Sequence, residues 1–136
     1  MLDREQVDNW EAEGTHPLAA VEGDVETTEA LAQLRRDHAA WSVETFGSVG
    51  PIGALKHLEK ETREVQENPA DLFEWVDLYF LLWDAQRRAG VTDAEIAAAG
   101  EEKLAVCRRR TWPKAVEGQP TEHVRSIHDR WRREGA

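Results

Sequence analysis

The chain has 136 residues, a net charge of −10 and one cysteine. That length suits one domain with its own core but is small for a deep enzymatic pocket walled by one subunit, and assembly from several chains would supply the missing walls. The acidity argues against a nucleic-acid-binding protein, which needs a basic face toward phosphates. A lone thiol forms no internal disulfide and fits a reducing cytoplasm, and no apolar run reaches the roughly 18 residues that a membrane span requires.

The charge is unevenly spread. From Lys103 onward nine Lys or Arg residues stand against four acids, so the acidity is concentrated upstream. A basic end and an acidic middle suit either a subunit interface or a polyanionic substrate bracketed with its metals.

In chain order, residues 1–26 are rich in Asp, Glu and Gly, open without a secretory pattern, and read as an N-terminal arm; residues 27–136 read as the folded domain. A first helix is expected from a cap at Thr27 or Thr28 to about Glu44, with Leu31, Leu34, His38 and Trp41 as its inner stripe. The segment Phe46-Gly47-Ser48-Val49-Gly50-Pro51 is a loop that lacks the Gly-Lys-Ser/Thr ending of a phosphate-binding P-loop. A second helix runs from about Pro51 to Glu67, where Asn68-Pro69 breaks it. The third runs from about Ala70, with Asp71 in its first turn, to Ala89, and Gly90 stops it. Its run from Leu72 to Trp83 is apolar nearly all round, which calls for burial on several sides by subunit packing in a bundle. The fourth opens on the capping box Thr92-Asp93-Ala94-Glu95 and ends near Arg110. A short helix from Pro120 to Ala136, with Val124, Ile127, His128 and Trp131 on one side, closes the chain.

The chemistry concentrates between residues 57 and 84. Glu61 and Glu64 precede the Asn68-Pro69 break, and Glu74 and Asp77 follow it. Each pair has i, i+3 spacing and therefore faces one way on its own helix. If the helices fold back as a hairpin, the four carboxylates converge and repel unless a cation neutralises them. Magnesium and manganese take oxygen ligands and commonly work with phosphate substrates, so the arrangement points to metal-assisted phosphate chemistry. In a chain this acidic, one such pair is usually a solvated helix face, but two pairs in one hairpin are less common. Asp84 lies seven residues beyond Asp77 on the same face and either reaches the site or pairs with Arg87 or Arg88. On the fourth helix Lys103, Cys107 and Arg110 share a face suited to phosphates, although basic residues near a helix C-terminus are also favoured without any ligand. Cys107 has no His in a recognisable relation to it, so nucleophilic catalysis finds little support.

The acid pattern resembles the signature of the MazG-like all-α nucleoside triphosphate pyrophosphohydrolases. Thr45-Phe46-Gly47, His57-Leu58, Pro69-x-Asp71, Glu74-Trp75-x-Asp77, Arg88-x-Gly90 and the block from Lys103 through Arg110-x-Trp112-Pro113 narrow the resemblance to the dATP/dGTP diphosphohydrolase branch, which includes the MazZ enzymes of phages. One departure is Cys107, which stands where that branch has an Asn.

The resemblance implies an all-α bundle of about four main helices plus a short C-terminal helix, assembled as a tetramer of tight dimers. It implies hydrolysis of a purine deoxynucleoside triphosphate, dGTP or dATP, to monophosphate and pyrophosphate. Glu61, Glu64, Glu74 and Asp77 would hold two or three Mg2+ or Mn2+ ions, with Lys103 and Arg110 on the leaving pyrophosphate and Trp41 or Phe46 stacked on the base. It further implies action in the cytoplasm of a phage's host, where dGMP would feed the synthesis of diaminopurine deoxynucleotides. A related reading is a MazG-like housecleaning enzyme for other or non-standard nucleotides. Two readings from other classes compete: a di-iron bundle, for which neither arm of the acid hairpin supplies a His at i+3, and a non-catalytic helical interaction protein, in which the acids are merely a solvated face.

Overall fold

The computed structural model describes residues 25–125, and all of the regular secondary structure in that range is helical: α1 (Val25–Phe46), α2 (Ile52–Glu67), α3 (Leu72–Arg88) and α4 (Asp93–Arg109). The expected arm at 1–26 therefore lies outside the described residues except for its last two positions, which begin α1. The chain divides into two compact units, Met1–Val91 and Thr92–Ala136.

In the first unit α2 and α3 form the expected hairpin, and α1 packs on α3. The turn between the hairpin helices is built by local hydrogen bonds. Asn68 N–H donates to the Glu64 carbonyl at 3.1 Å, and Asp71 N–H donates to the Asn68 carbonyl at the same distance. Asp71 is the N-cap of α3 rather than part of its first turn: its Oδ1 accepts from Phe73 N–H at 3.0 Å, which satisfies one of the orphan donors of a helix start. Trp75 Nε1–H then donates to the Pro69 carbonyl at 2.9 Å and ties the first turn of α3 back onto the loop. The register that brings Glu74 opposite α2 is thus fixed within a few residues of the break. Gly90 terminates the helix at φ +76°, a backbone conformation open to glycine at little cost.

The inner stripe expected of α1 is only partly realised. His38 is buried, but Leu31, Leu34 and Trp41 are about half exposed; the second buried residue of this helix is Ser42, which is wholly inaccessible. The cause is a small polar side chain, Ser42, which sits against the buried Asp84 of α3. On α3 the continuous apolar run is covered on one side only: Trp83, Asp84 and Ala85 are buried while Phe73 is 82% exposed and Leu72, Tyr79 and Leu82 are open as well.

In the second unit, α4 starts on the expected capping box. Thr92 Oγ1 accepts from Glu95 N–H at 3.1 Å, and Glu95 Oε1 accepts from Thr92 N–H at 3.3 Å. Beyond it, residues 110–125 are not helical. The chain turns back instead: Val124 N–H donates to the Thr111 carbonyl at 2.7 Å, and the rings of Trp112 and His123 meet edge to face at 5.7 Å. The helix expected from Pro120 is therefore not formed through Arg125, because that backbone is paired with Thr111; its remaining stretch, 126–136, lies outside the described residues.

Candidate active site

The hairpin brings acids from both arms together. Carboxylate oxygens of Glu61, Glu64 and Glu74 lie within 4.8 Å of one another, all three side chains half-buried. Asp77, one turn further along α3, lines the adjoining cavity together with Glu61. Three of the four expected acids thus form one cluster, and the fourth borders it from the cavity side.

The electrostatics are those of a site built for a cation. Partial burial raises the pKa of Glu74 above the ordinary glutamate range, and the nearby charges of Glu64, Glu61, Asp71 and Asp77 push it further the same way. Glu61 Oε2 and Glu74 Oε2 are buried and accept no hydrogen bond. Clustered carboxylates with unpartnered, inaccessible oxygens are costly in a structural role. An all-oxygen donor set of this kind fits a hard divalent ion such as Mg2+ or Mn2+. Glu61 makes one contact on its other oxygen, where Oε1 lies 3.1 Å from Nε2 of the exposed His57.

Beside the cluster, within the first unit, lies a cavity of about 570 Å3. That volume is in the range of small-molecule sites, roughly 300–1,000 Å3. Its aromatic wall includes Trp41 and Phe46, whose rings meet edge to face at 5.5 Å, and His38, which stacks on Phe80 at 4.0 Å. Gly53 and Ala54 of α2 also line it, and nothing lies within 4 Å of the place where a Cβ on Gly53 would stand. The small residues keep that side open.

Asp84 and Arg88, which also line the cavity, belong to a buried polar network. Asp84 Oδ2 accepts from Ser42 Oγ at 2.8 Å and from Arg88 Nη2 at 3.5 Å, while Oδ1 accepts from Arg87 Nη1 at 2.8 Å. Of the alternatives open to Asp84 in the sequence, both hold: it pairs with Arg87 and Arg88, and it reaches the cavity. His38 stands 3.7 Å from Asp84. Burial lowers its pKa and Arg87 and Arg88 act the same way, outweighing the pull of Asp84, so the imidazole is held toward its neutral form.

Of the residues singled out from sequence, Glu61, Asp77, Trp41 and Phe46 line the cavity and Glu64 and Glu74 complete the acid cluster. Lys103 and Arg110 belong to the second unit, where Lys103 is an exposed residue of α4 and Arg110 is its half-buried C-cap, with N–H donated to the Cys107 carbonyl at 3.2 Å. The polar wall of His38, Ser42, Asp84 and Arg88 was not assembled from sequence. Its signal was periodicity: His38 and Ser42 are one turn apart, and Asp77, Asp84 and Arg88 continue one face of α3.

A helical hairpin with carboxylates on both arms beside an aromatic cavity is the arrangement of a MazG-like nucleotide hydrolase. The dATP/dGTP pyrophosphohydrolase family matches residues 34–130, and the chain belongs to that family. It is 50% identical over 93 residues to the Eaa protein of Salmonella phage P22; the match takes in 68% of this chain but spans only 29% of that protein's length. Among solved structures it is similar to the MazG-like pyrophosphohydrolase of cyanophage S-2L, bound to dGDP and three catalytic Mn2+ ions per active site. The TM-score is 0.57 at 27% identity, over 70% of this chain and 93% of that one.

Proposed function

We propose that this chain hydrolyses purine deoxynucleoside triphosphates, dGTP and dATP, to the monophosphate and pyrophosphate. The observation that carries the reading is the convergence of Glu61, Glu64 and Glu74 beside an aromatic cavity that Asp77 also lines. Those four acids would hold two or three Mg2+ or Mn2+ ions. When bound, such ions supply charge neutralisation of the triphosphate and acidify water for in-line attack at the α-phosphorus.

The rest of the work falls to the chain itself. Trp41 and Phe46 present ring surface on which a purine stacks, and the cavity removes the base from water. A carboxylate of the cluster takes the proton of the attacking water; Glu64 is our choice. Lys103 and Arg110 are assigned to the leaving pyrophosphate by residue type and sequence pattern. Residues 27–136 form the enzymatic domain and 1–26 an arm. Copies assemble into a tetramer of dimers, a reading supported by the exposed apolar side chains Leu72, Phe73 and Tyr79 on α3. The setting we favour is the cytoplasm of a phage-infected cell, with dGMP passing to the synthesis of diaminopurine deoxynucleotides; support for this comes from the relatives in phages.

The test is product analysis after incubation with Mg2+ or Mn2+ and each common ribo- and deoxynucleoside triphosphate in turn. Monophosphate plus pyrophosphate, formed fastest from dGTP or dATP, is the expected result. Release of a diphosphate and inorganic phosphate would place the attack on the wrong phosphorus, and turnover confined to pyrimidine triphosphates would remove the purine reading.

A further inference from the structure

The polar wall of the cavity has a feature that packing does not account for. Arg88 is nearly buried, yet its Nε–H has no acceptor, although its Nη2 donates to Ser42 Oγ at 3.3 Å and to Asp84 at 3.5 Å. The guanidinium also lies 5.9 Å from the centre of the Phe46 ring, on the wall where a base would stack. A purely structural arginine at this depth would have its donors satisfied by the protein. Asp84 is already occupied by donors from Ser42, Arg87 and Arg88, so it is the anchor of the group rather than the free partner.

Nε itself is inaccessible, so what a ligand would meet is the part of Arg88 that lines the cavity, and position along α3 says where that lies. Asp84 follows Asp77 by seven residues, which is about 10 Å of helix. Arg88 leans back toward the N-terminus of its helix, as long helical side chains do, and so delivers its guanidinium to the level of Asp84. A nucleotide whose α-phosphate sits beside Asp77, on the cavity side of the acid cluster, directs its purine toward this level of the helix. That edge in guanine presents two acceptors, O6 and N7, which match the two-pronged fork of an arginine; adenine offers N7 but sets an amino donor where O6 would be.

We propose that Arg88, held in place by Asp84 and Ser42, reads the O6/N7 edge of the purine and biases the site toward 6-oxopurine deoxynucleotides. This rests on the triphosphatase reading above. Arg88 is a specificity residue that touches the base, and Ser42 and Asp84 position it.

The experiment measures kcat/KM of the full chain, with Mn2+, toward dGTP, dITP, dATP and 7-deaza-dGTP, and repeats it for Arg88→Gln and Arg88→Lys. In the unaltered chain 7-deaza-dGTP, which lacks the N7 acceptor, is expected to be about tenfold poorer than dGTP. Arg88→Gln is expected to lower dGTP and dITP by about ten- to a hundredfold, to change dATP by less than about threefold, and to erase the 7-deaza penalty. Arg88→Lys keeps the charge but not the fork and is expected to fall between the unaltered chain and Arg88→Gln. Equal losses for all four substrates would overturn the assignment, as would an unaltered chain that treats 7-deaza-dGTP like dGTP; this second comparison stands even if neither variant folds. An unaltered chain that turns over none of the four would sink the triphosphatase reading itself.

Discussion

Ser42 Oγ donates to Asp84 Oδ2 at 2.8 Å, joining α1 to α3 through a hydroxyl with no exposure and a carboxylate that is itself buried. Forty-two residues separate the partners. The bond lets two helices approach closely and at the same time aims Asp84 at Arg87 and Arg88. Removing one donor from a buried carboxylate costs about 1–3 kcal/mol. Ser42→Ala is therefore expected to lower the melting temperature by several degrees, whereas Asp84→Ala, which strands two arginines, should cost about 3–5 kcal/mol. Thermal unfolding of the two variants beside the parent chain checks the order; a Ser42→Ala chain that melts with the parent would mean that water replaces the hydroxyl without loss.

The acid cluster predicts opposite effects on stability and activity. The charged form of Glu74 is disfavoured, by burial first and by its four acidic neighbours next. Glu74→Gln removes that repulsion, so the metal-free chain is expected to become more stable. Turnover of dGTP should meanwhile fall by more than about a hundredfold, beyond the 10–100-fold typical of groups that only support a metal ligand. Unfolding without metal and initial rates with Mn2+ test the two halves separately. A variant that is less stable and fully active would show the cluster to be a structural feature.

How much of this was legible in the sequence follows from what each signal depends on. The four helices and the pairing of their acids were readable because they rest on local chemistry: the break at Asn68-Pro69, the box from Thr92 to Glu95, the glycine stop at Gly90. Of the cavity wall, Trp41, Phe46, Glu61 and Asp77 were readable, but the pairing of Ser42 with Asp84 was not, because it depends on which face of α1 meets α3. Of the stripe Leu31, Leu34, His38 and Trp41, only His38 is buried; beside it the contact is made by Ser42, a residue whose pattern value is polar but whose size permits close approach. The start of the closing segment, through Arg125, differs from the expectation for a related reason. Val124 lies on the amphipathic pattern, yet its N–H is paired with Thr111 while the neighbouring His123 meets Trp112, and contacts so formed leave no periodic trace.

His38 makes stability depend on pH in a stated direction. Its folded-state pKa is lowered, chiefly by burial among Phe80, Trp41 and Trp83, with Arg87 and Arg88 adding to the effect and Asp84 opposing it. The folded chain therefore prefers the neutral ring. Above the ordinary imidazole value of about 6.5 there is no penalty; as pH falls from there toward the lower folded-state value, the unfolded chain takes up the proton first and stability declines. Below both values the loss levels off. Denaturant midpoints measured across this range, for the parent and for His38→Gln, should converge as the pH drops because the variant lacks this loss. Parallel profiles would show that other groups govern the acid limb.

Gly53 offers a test of the cavity that does not touch a charged residue. It lies in the first turn of α2, lines the cavity, and has open space where a Cβ would stand. Alanine there meets no neighbour and restricts the unfolded chain, so Gly53→Ala is expected to add up to about 0.5–1 kcal/mol of stability with turnover nearly kept. A leucine at the same position grows into the volume assigned to the base. It should raise KM for dGTP by about tenfold or more while leaving the fold intact, because the added atoms occupy space that substrate, not protein, would fill. Steady-state kinetics on the two variants separates these cases. If Gly53→Leu binds dGTP as well as Gly53→Ala does, the nucleotide lies elsewhere, and the aromatic cavity beside the acids is not where the base is held.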